Sequence, residues 1–235
     1  MLAFRPELLT AVERVATGAL TAWMKARCGG GQTGGVLVRH RFGNSLNLHI
    51  HSHLLMMDGG YVERGDGTLE SRAGGPVTEQ ELVGLAGKIR ARIMTLLKRR
   101  GLLRRDEVNN EPPRQDALDA CANVARGHGT RERRGPALGL VDEDDVEHPR
   151  GGAAANVDGM NLYASGVLDG VDRERLEVLC RYLLRGPLAL QRLTQLPDGR
   201  LSDRMKKPDR WGNTVMILTP VEMLMRLCSL IPAPG

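Results

Sequence analysis

The stretch Asn47-Leu48-His49-Ile50-His51-Ser52-His53-Leu54-Leu55 places imidazoles on every second residue. In an extended chain successive side chains leave opposite faces, so His49, His51 and His53 share one face, with Leu48, Ile50, Ser52 and Leu54 on the other. Neighbouring imidazoles on such a face stand about 7 Å apart, within reach of a shared cation. The chain holds six histidines, and half of them fall within these five positions, which favours a metal-binding strand over scattered imidazoles. An exposed polar face of an edge strand would show the same alternation. A third or fourth ligand must come from elsewhere in the chain.

Outward from this strand, Gly43-Asn44-Ser45 is turn chemistry, and Gly35 to Phe42, with Val36-Leu37-Val38, reads as the strand before it. The β-like run spans Leu46 to Met57, and Asp58-Gly59-Gly60 with Tyr61-Val62 predicts a hairpin return. Upstream, Pro6 to Cys28 reads as a helix opened by proline and stopped by Gly29-Gly30-Gly31. Downstream, Thr78 to Arg100 is a helix with Thr78 as N-cap and Glu81 completing a capping box. Asp116 to Arg126 predicts a shorter helix, and the glycine-rich, charged stretch 127–156 a connector.

Met160 to Ala164 then reads as a strand, and Asp172 caps a helix running to Arg185, stopped by Gly186-Pro187. Leu188 to Leu196 and Arg200 to Lys206 predict a hairpin around Pro197-Asp198-Gly199. Thr214 to Leu218 is a further strand, and Pro220 to Leu230 a closing helix. Short strands joined by hairpins, with helices between them, predict an α+β fold: a mainly antiparallel sheet with flanking helices, in one domain over 1–235.

Composition bounds the function. Net charge is +5, and 28 of the 33 basic residues are arginine, the side chain suited to two-pronged phosphate contacts, although a GC-rich genome would raise arginine equally. Aromatic residues are only 3%, so base stacking is limited and any nucleic-acid affinity would rest on arginine–phosphate contacts and weaken with salt. No apolar run approaches the roughly 18 residues of a membrane span, and no secretory leader is evident, so a cytoplasmic protein is expected. Cys28, Cys121, Cys180 and Cys228 are far apart, which excludes a zinc ribbon.

A second candidate group is Tyr182, in Leu176-Glu177-Val178-Leu179-Cys180-Arg181-Tyr182-Leu183-Leu184-Arg185. Leu176, Leu179, Cys180 and Leu183 form the apolar stripe of this helix, and Tyr182 sits at its border beside arginines. There a tyrosine can pack its ring on the core with a wet hydroxyl, or act as a nucleophile flanked by cations that hold a phosphate.

Arg41 through His53, followed by Asp58-Gly59-Gly60-Tyr61-Val62, resembles the HUH segment of rolling-circle insertion-sequence transposases, a family with one or two catalytic tyrosines. Leu176 to Ala189 resembles the tyrosine helix of that family, and Met205 through Pro220 with Leu227 to Pro234 its following strand and helix. The resemblance implies an HUH-endonuclease-like palm and a metal pair on His51 and His53, with His49 and His51 as a second register. It implies a divalent ion such as magnesium or manganese, although imidazole ligands would also accept zinc in vitro. Tyr182 would be the nucleophile, giving a 5′-phosphotyrosine link on the single-stranded DNA ends of a mobile element. Arg181, Arg185 and Arg175 are the candidate phosphate contacts. Val178 and Gly186, one turn either side, are not tyrosines, so Tyr182 stands alone.

Departures exist: many relatives carry histidine at Tyr163, a second proline at Gly186 and a polar residue at Trp211. Relatives also begin earlier and continue further, so the expectation is a domain shortened at both ends. Two other functions are compatible with these residues: a catalytically inactive DNA-binding remnant, and a metal-dependent hydrolase with acidic partners near His51.

Overall fold

The computed structural model describes residues 4–43, 46–103, 152–205, 208 and 212–232. The helix expected over 116–126 lies outside the described residues, as do Trp211 and nearly all of the connector expected over 127–156. The connector's last residues do fall in the structure, and they correct its boundary, because Ala153 to Asn156 belong to a strand.

Helix α1 (Pro6–Arg27) opens on proline, whose missing N–H costs nothing in a first turn. Helix α2 (Glu79–Arg99) carries both halves of the capping box, Thr78 accepting from the Glu81 amide and Glu81 accepting in return. The two helices pack through Ala19, Leu85 and Ile89, an aliphatic contact that Trp23 extends. Helix α2 also packs on a hairpin of β5 (Ala153–Val157) and β6 (Met160–Ala164) through Leu82, Ala86 and Ala155, and Met160 and Leu162 of that hairpin reach the α1–α2 contact. Asp158 and Gly159 close it with φ of 47° and 81°, the paired left-handed residues of a two-residue turn.

Strands β1 (Gly35–Phe42) and β2 (Leu48–Met56) pair antiparallel, with His40 opposite His51, Val38 opposite His53 and Arg39 opposite Ser52. The β2 run starts two residues later than expected. Leu46 takes a left-handed φ of 53° and buries its side chain with Leu218 and Met223, in a core separate from that of α1 and α2. One face of the β1–β2 hairpin is fixed to α1 by Glu13, which accepts hydrogen bonds from Arg39 Nε at 2.7 Å and Ser52 Oγ at 2.8 Å. Burial alone would raise the Glu13 carboxyl, but the Arg39 and Ser52 hydrogen bonds outweigh it and hold the group below its ordinary range.

The hairpin expected at Asp58-Gly59-Gly60 does not form. Strand β3 (Gly60–Glu63) pairs with β4 (Leu69–Arg72) instead, and the turn between them uses Asp66-Gly67. Thr68 donates its amide to Asp66, and Gly67 sits at φ 80°. Gly59 carries φ 124°, and a Cβ there would lie 2.1 Å from the Arg72 carbonyl oxygen, so this glycine serves a close crossing rather than a reversal.

Helix α3 (Arg173–Leu183) is capped by Asp172, which accepts from the Arg175 amide, and it ends two residues before Arg185. A 3-10 turn over Leu190–Arg192 leads into β7 (Leu193–Gln195), β8 (Leu201–Arg204) and β9 (Val215–Leu218). Helix α4 (Pro220–Leu230) follows, with its own capping box on Thr219 and Glu222. The class is α+β, and every strand pairing among the described residues is antiparallel. The described strands form four separate small sheets rather than one continuous palm, because most strands are three to five residues long and close on their immediate neighbour. No helix among the described residues is long and apolar enough to cross a membrane.

Glu13→Ala should leave Arg39 and Ser52 without their shared acceptor and destabilise the protein by about 1–3 kcal/mol in urea denaturation. A change within experimental error would show that Glu13 does not hold the hairpin.

Candidate metal and tyrosine site

Antiparallel pairing places His40 directly across from His51, and strand alternation adds His53 to the same face. Ring centroids are 5.3 Å apart for His40 and His51, 4.7 Å for His40 and His53, and 4.9 Å for His51 and His53. One nitrogen from each of the three rings lies within 4.8 Å of the others, and this is the one cluster among the described residues that could hold a metal ion. Of the sequence candidates, His51 and His53 belong to it. His49 stands one step along β2 and stacks on His51 with centroids 4.8 Å apart, outside the group of three.

His40 is the candidate ligand that sequence reasoning missed. It lies eleven residues before His51 in a run, Val38-Arg39-His40-Arg41-Phe42, that carries a single histidine, so no local pattern marks it. The turn chemistry of the sequence Gly43-Asn44-Ser45 was the one available signal that the two flanking strands could pair. The partner of His40 could not be counted off, because the register shifts between His40 and Phe42.

The C-terminal end of helix α3 meets the histidine face. His40 Nε2 lies 2.8 Å from the Leu183 carbonyl oxygen, and Tyr182, the preceding residue, brings its ring to 5.4 Å from that of His53 and 6.3 Å from that of His40. Two groups more than 120 positions apart in the chain are therefore neighbours. The Arg185 guanidinium sits over the Tyr182 ring at 4.4 Å and faces Phe42 at 5.9 Å, while Phe42 stacks on His40. Of the three candidate arginines, Arg185 is the one over the phenol ring. Arg175 and Arg181 hold exposed intrahelical ion pairs with Asp172 and Glu177. Tyr163, where many relatives carry histidine, lies in β6 opposite Ala154, on the hairpin packed against α2.

The electrostatics favour neutral imidazoles. Desolvation, reinforced by His49, His53 and His40, pushes the His51 pKa down to about 3. Desolvation also lowers that of His40, against the Leu183 carbonyl and with help from Arg185. His40 Nδ1 and His51 Nδ1 are buried with no hydrogen-bond partner among the described residues. Buried imidazole nitrogens close together and without hydrogen-bond partners fit a cation.

Residues 34–235 match the family model Y2_Tnp, described as "Putative transposase". No curated protein and no solved structure matches the chain.

The lowered His51 pKa has a stability consequence. The unfolded chain would protonate this ring near its ordinary 6.5 and the folded chain only near 3, so stability is full above about 6.5 and falls as pH drops through that window. In chelator, the melting temperature should decline between about pH 7 and about pH 5, where carboxylates remain ionised, and His51→Gln should flatten that decline. A wild-type profile that is already flat there would contradict the burial of a neutral histidine cluster.

Proposed function

The chain belongs to the Y2_Tnp transposase family, and from that premise we propose that it nicks single-stranded DNA by the HUH route of rolling-circle transposition. The observation that carries the reading is the meeting of Tyr182 with the His40, His51 and His53 face, with the phenol ring 5.4 Å from His53.

His40, His51 and His53 would hold a divalent ion through neutral imidazole nitrogens. When bound, magnesium or manganese supplies Lewis-acid polarisation of the scissile phosphate. Tyr182 attacks phosphorus: the phenolic O–P bond forms, the P–O3′ bond breaks, the phenolic proton passes to water and the departing 3′-oxygen takes one up. The product is a 5′-phosphotyrosine and a free 3′-hydroxyl. One phosphoester replaces another, so a 3′-hydroxyl can reverse the step without a nucleotide cofactor.

An unperturbed phenol has a pKa of about 10, so the attack needs help from positive charge. Arg185, over the Tyr182 ring, stabilises the negative charge that develops on the phenol oxygen and is placed to contact a phosphate. Arg175 and Arg181, on the solvent side of α3, would contribute long-range attraction for the DNA backbone. The hydrolase alternative needed acidic partners near His51, and the cluster among the described residues is made of histidines alone.

The test is incubation of purified protein with labelled single-stranded ends of its element and manganese, resolved on a denaturing gel. A covalent adduct is expected with the wild type. Tyr182→Phe should abolish it with manganese affinity unchanged, and His51→Ala should weaken manganese binding at least roughly tenfold. An adduct that survives Tyr182→Phe would overturn the assignment. Salt-sensitive DNA binding with no adduct would leave the inactive remnant as the better description.

A further inference from the structure

We propose that the Leu183 carbonyl makes cation binding and the seating of the tyrosine helix a single coupled event, an inference that rests on the metal site proposed above.

The argument begins with the proton on His40. A carbonyl oxygen can only accept, so the 2.8 Å contact requires His40 Nε2 to carry the hydrogen. A neutral imidazole protonated at Nε2 presents a bare lone pair at Nδ1. Nδ1 is the atom that is buried without a hydrogen-bond partner among the described residues. The Leu183 carbonyl thus selects the tautomer in which His40 can act as a ligand beside His51 and His53.

Leu183 is free to do so because of how α3 ends. The last carbonyls of a helix lack intrahelical donors, and a further turn would satisfy that of Leu183 from the amide of residue 187. Residue 187 is proline, which has no N–H. The chain turns away after Leu184 and Arg185, whose amides bond Cys180 and Tyr182, and the Leu183 carbonyl goes to the histidine strand. The residue before Leu183 is Tyr182, so the bond that orients His40 also fixes where the phenol sits. Reciprocally, a cation drawing on Nδ1 makes Nε2–H a stronger donor and tightens the hold on α3.

The test changes no ligand. Gly186→Ala with Pro187→Ala restores an amide at residue 187 and lets the helix extend, drawing the Leu183 carbonyl away from His40. A Cβ at Gly186 meets nothing within 4 Å, so the first change fits. Manganese affinity, measured by titration calorimetry, should fall roughly tenfold or more while Tyr182→Phe binds as the wild type does. In the unmodified protein, manganese should slow hydrogen exchange across residues 176–187, and His40→Ala should remove that effect. Undiminished manganese affinity in the double variant, or metal binding that leaves exchange in α3 unchanged, overturns the coupling and leaves the metal site standing. Failure of the wild type to bind manganese overturns both.

Discussion

The alignment of β1 with β2 is the constraint on which the site depends. With His40 opposite His51, three imidazoles meet on one face and Arg39 and Ser52 meet on the other. A slip of one residue would send every side chain of β2 through the sheet, setting Ser52 against the phenol and the histidines against α1. Two strands pairing only with each other specify register weakly, so something must hold it. Glu13 does, because the two groups it accepts from, Arg39 and Ser52, are themselves cross-strand partners. A single carboxylate on α1 thereby clamps the alignment that the opposite face needs.

The two faces of the hairpin use different physics. Towards α1 the contact is ionic, between a guanidinium and a carboxylate. Towards α3 it is a set of neutral rings in a desolvated setting, where Phe42 stacks on His40 and Tyr182 meets His53 edge-on. The chain has only two phenylalanines and three tyrosines, and one of each is placed here, while the cores among the described residues are largely aliphatic. Scarce rings are concentrated where flat, polarisable surfaces exclude water from uncharged nitrogens.

Much of this was legible in the sequence where the signal is local. The helix starts at Pro6, Thr78, Asp172 and Pro220, and the strand over Gly35 to Phe42, are written in caps, proline and β-branched runs. Asp-Gly pairs were less decisive. Asp66-Gly67, Asp158-Gly159 and Asp198-Gly199 lie in the turns between paired strands, but Asp58-Gly59 does not, because its glycine answers a clash with the Arg72 carbonyl that only the tertiary fold creates. His40 was hidden for a related reason: an irregular register and a left-handed Leu46 break the count of residues around the turn. The nearness of Tyr182 to the histidines could be expected from family resemblance but not from spacing, since nothing local links residue 50 to residue 182.

The composition of the histidine cluster itself bears on what a bound ion could do. A carboxylate ligand would spend part of a divalent ion's charge before any substrate arrived. Three neutral imidazoles would leave that charge whole, facing the place where the proposed reaction would bring a phosphodiester and a developing phenolate together. Arg185, over the Tyr182 ring, adds a further positive charge on the side of the proposed nucleophile. The depressed basicity of His51 serves the same end, because a ring that protonated readily would repel the ion and forfeit its lone pair. Burial that would be a cost for an isolated histidine is thus what keeps the cluster competent to bind.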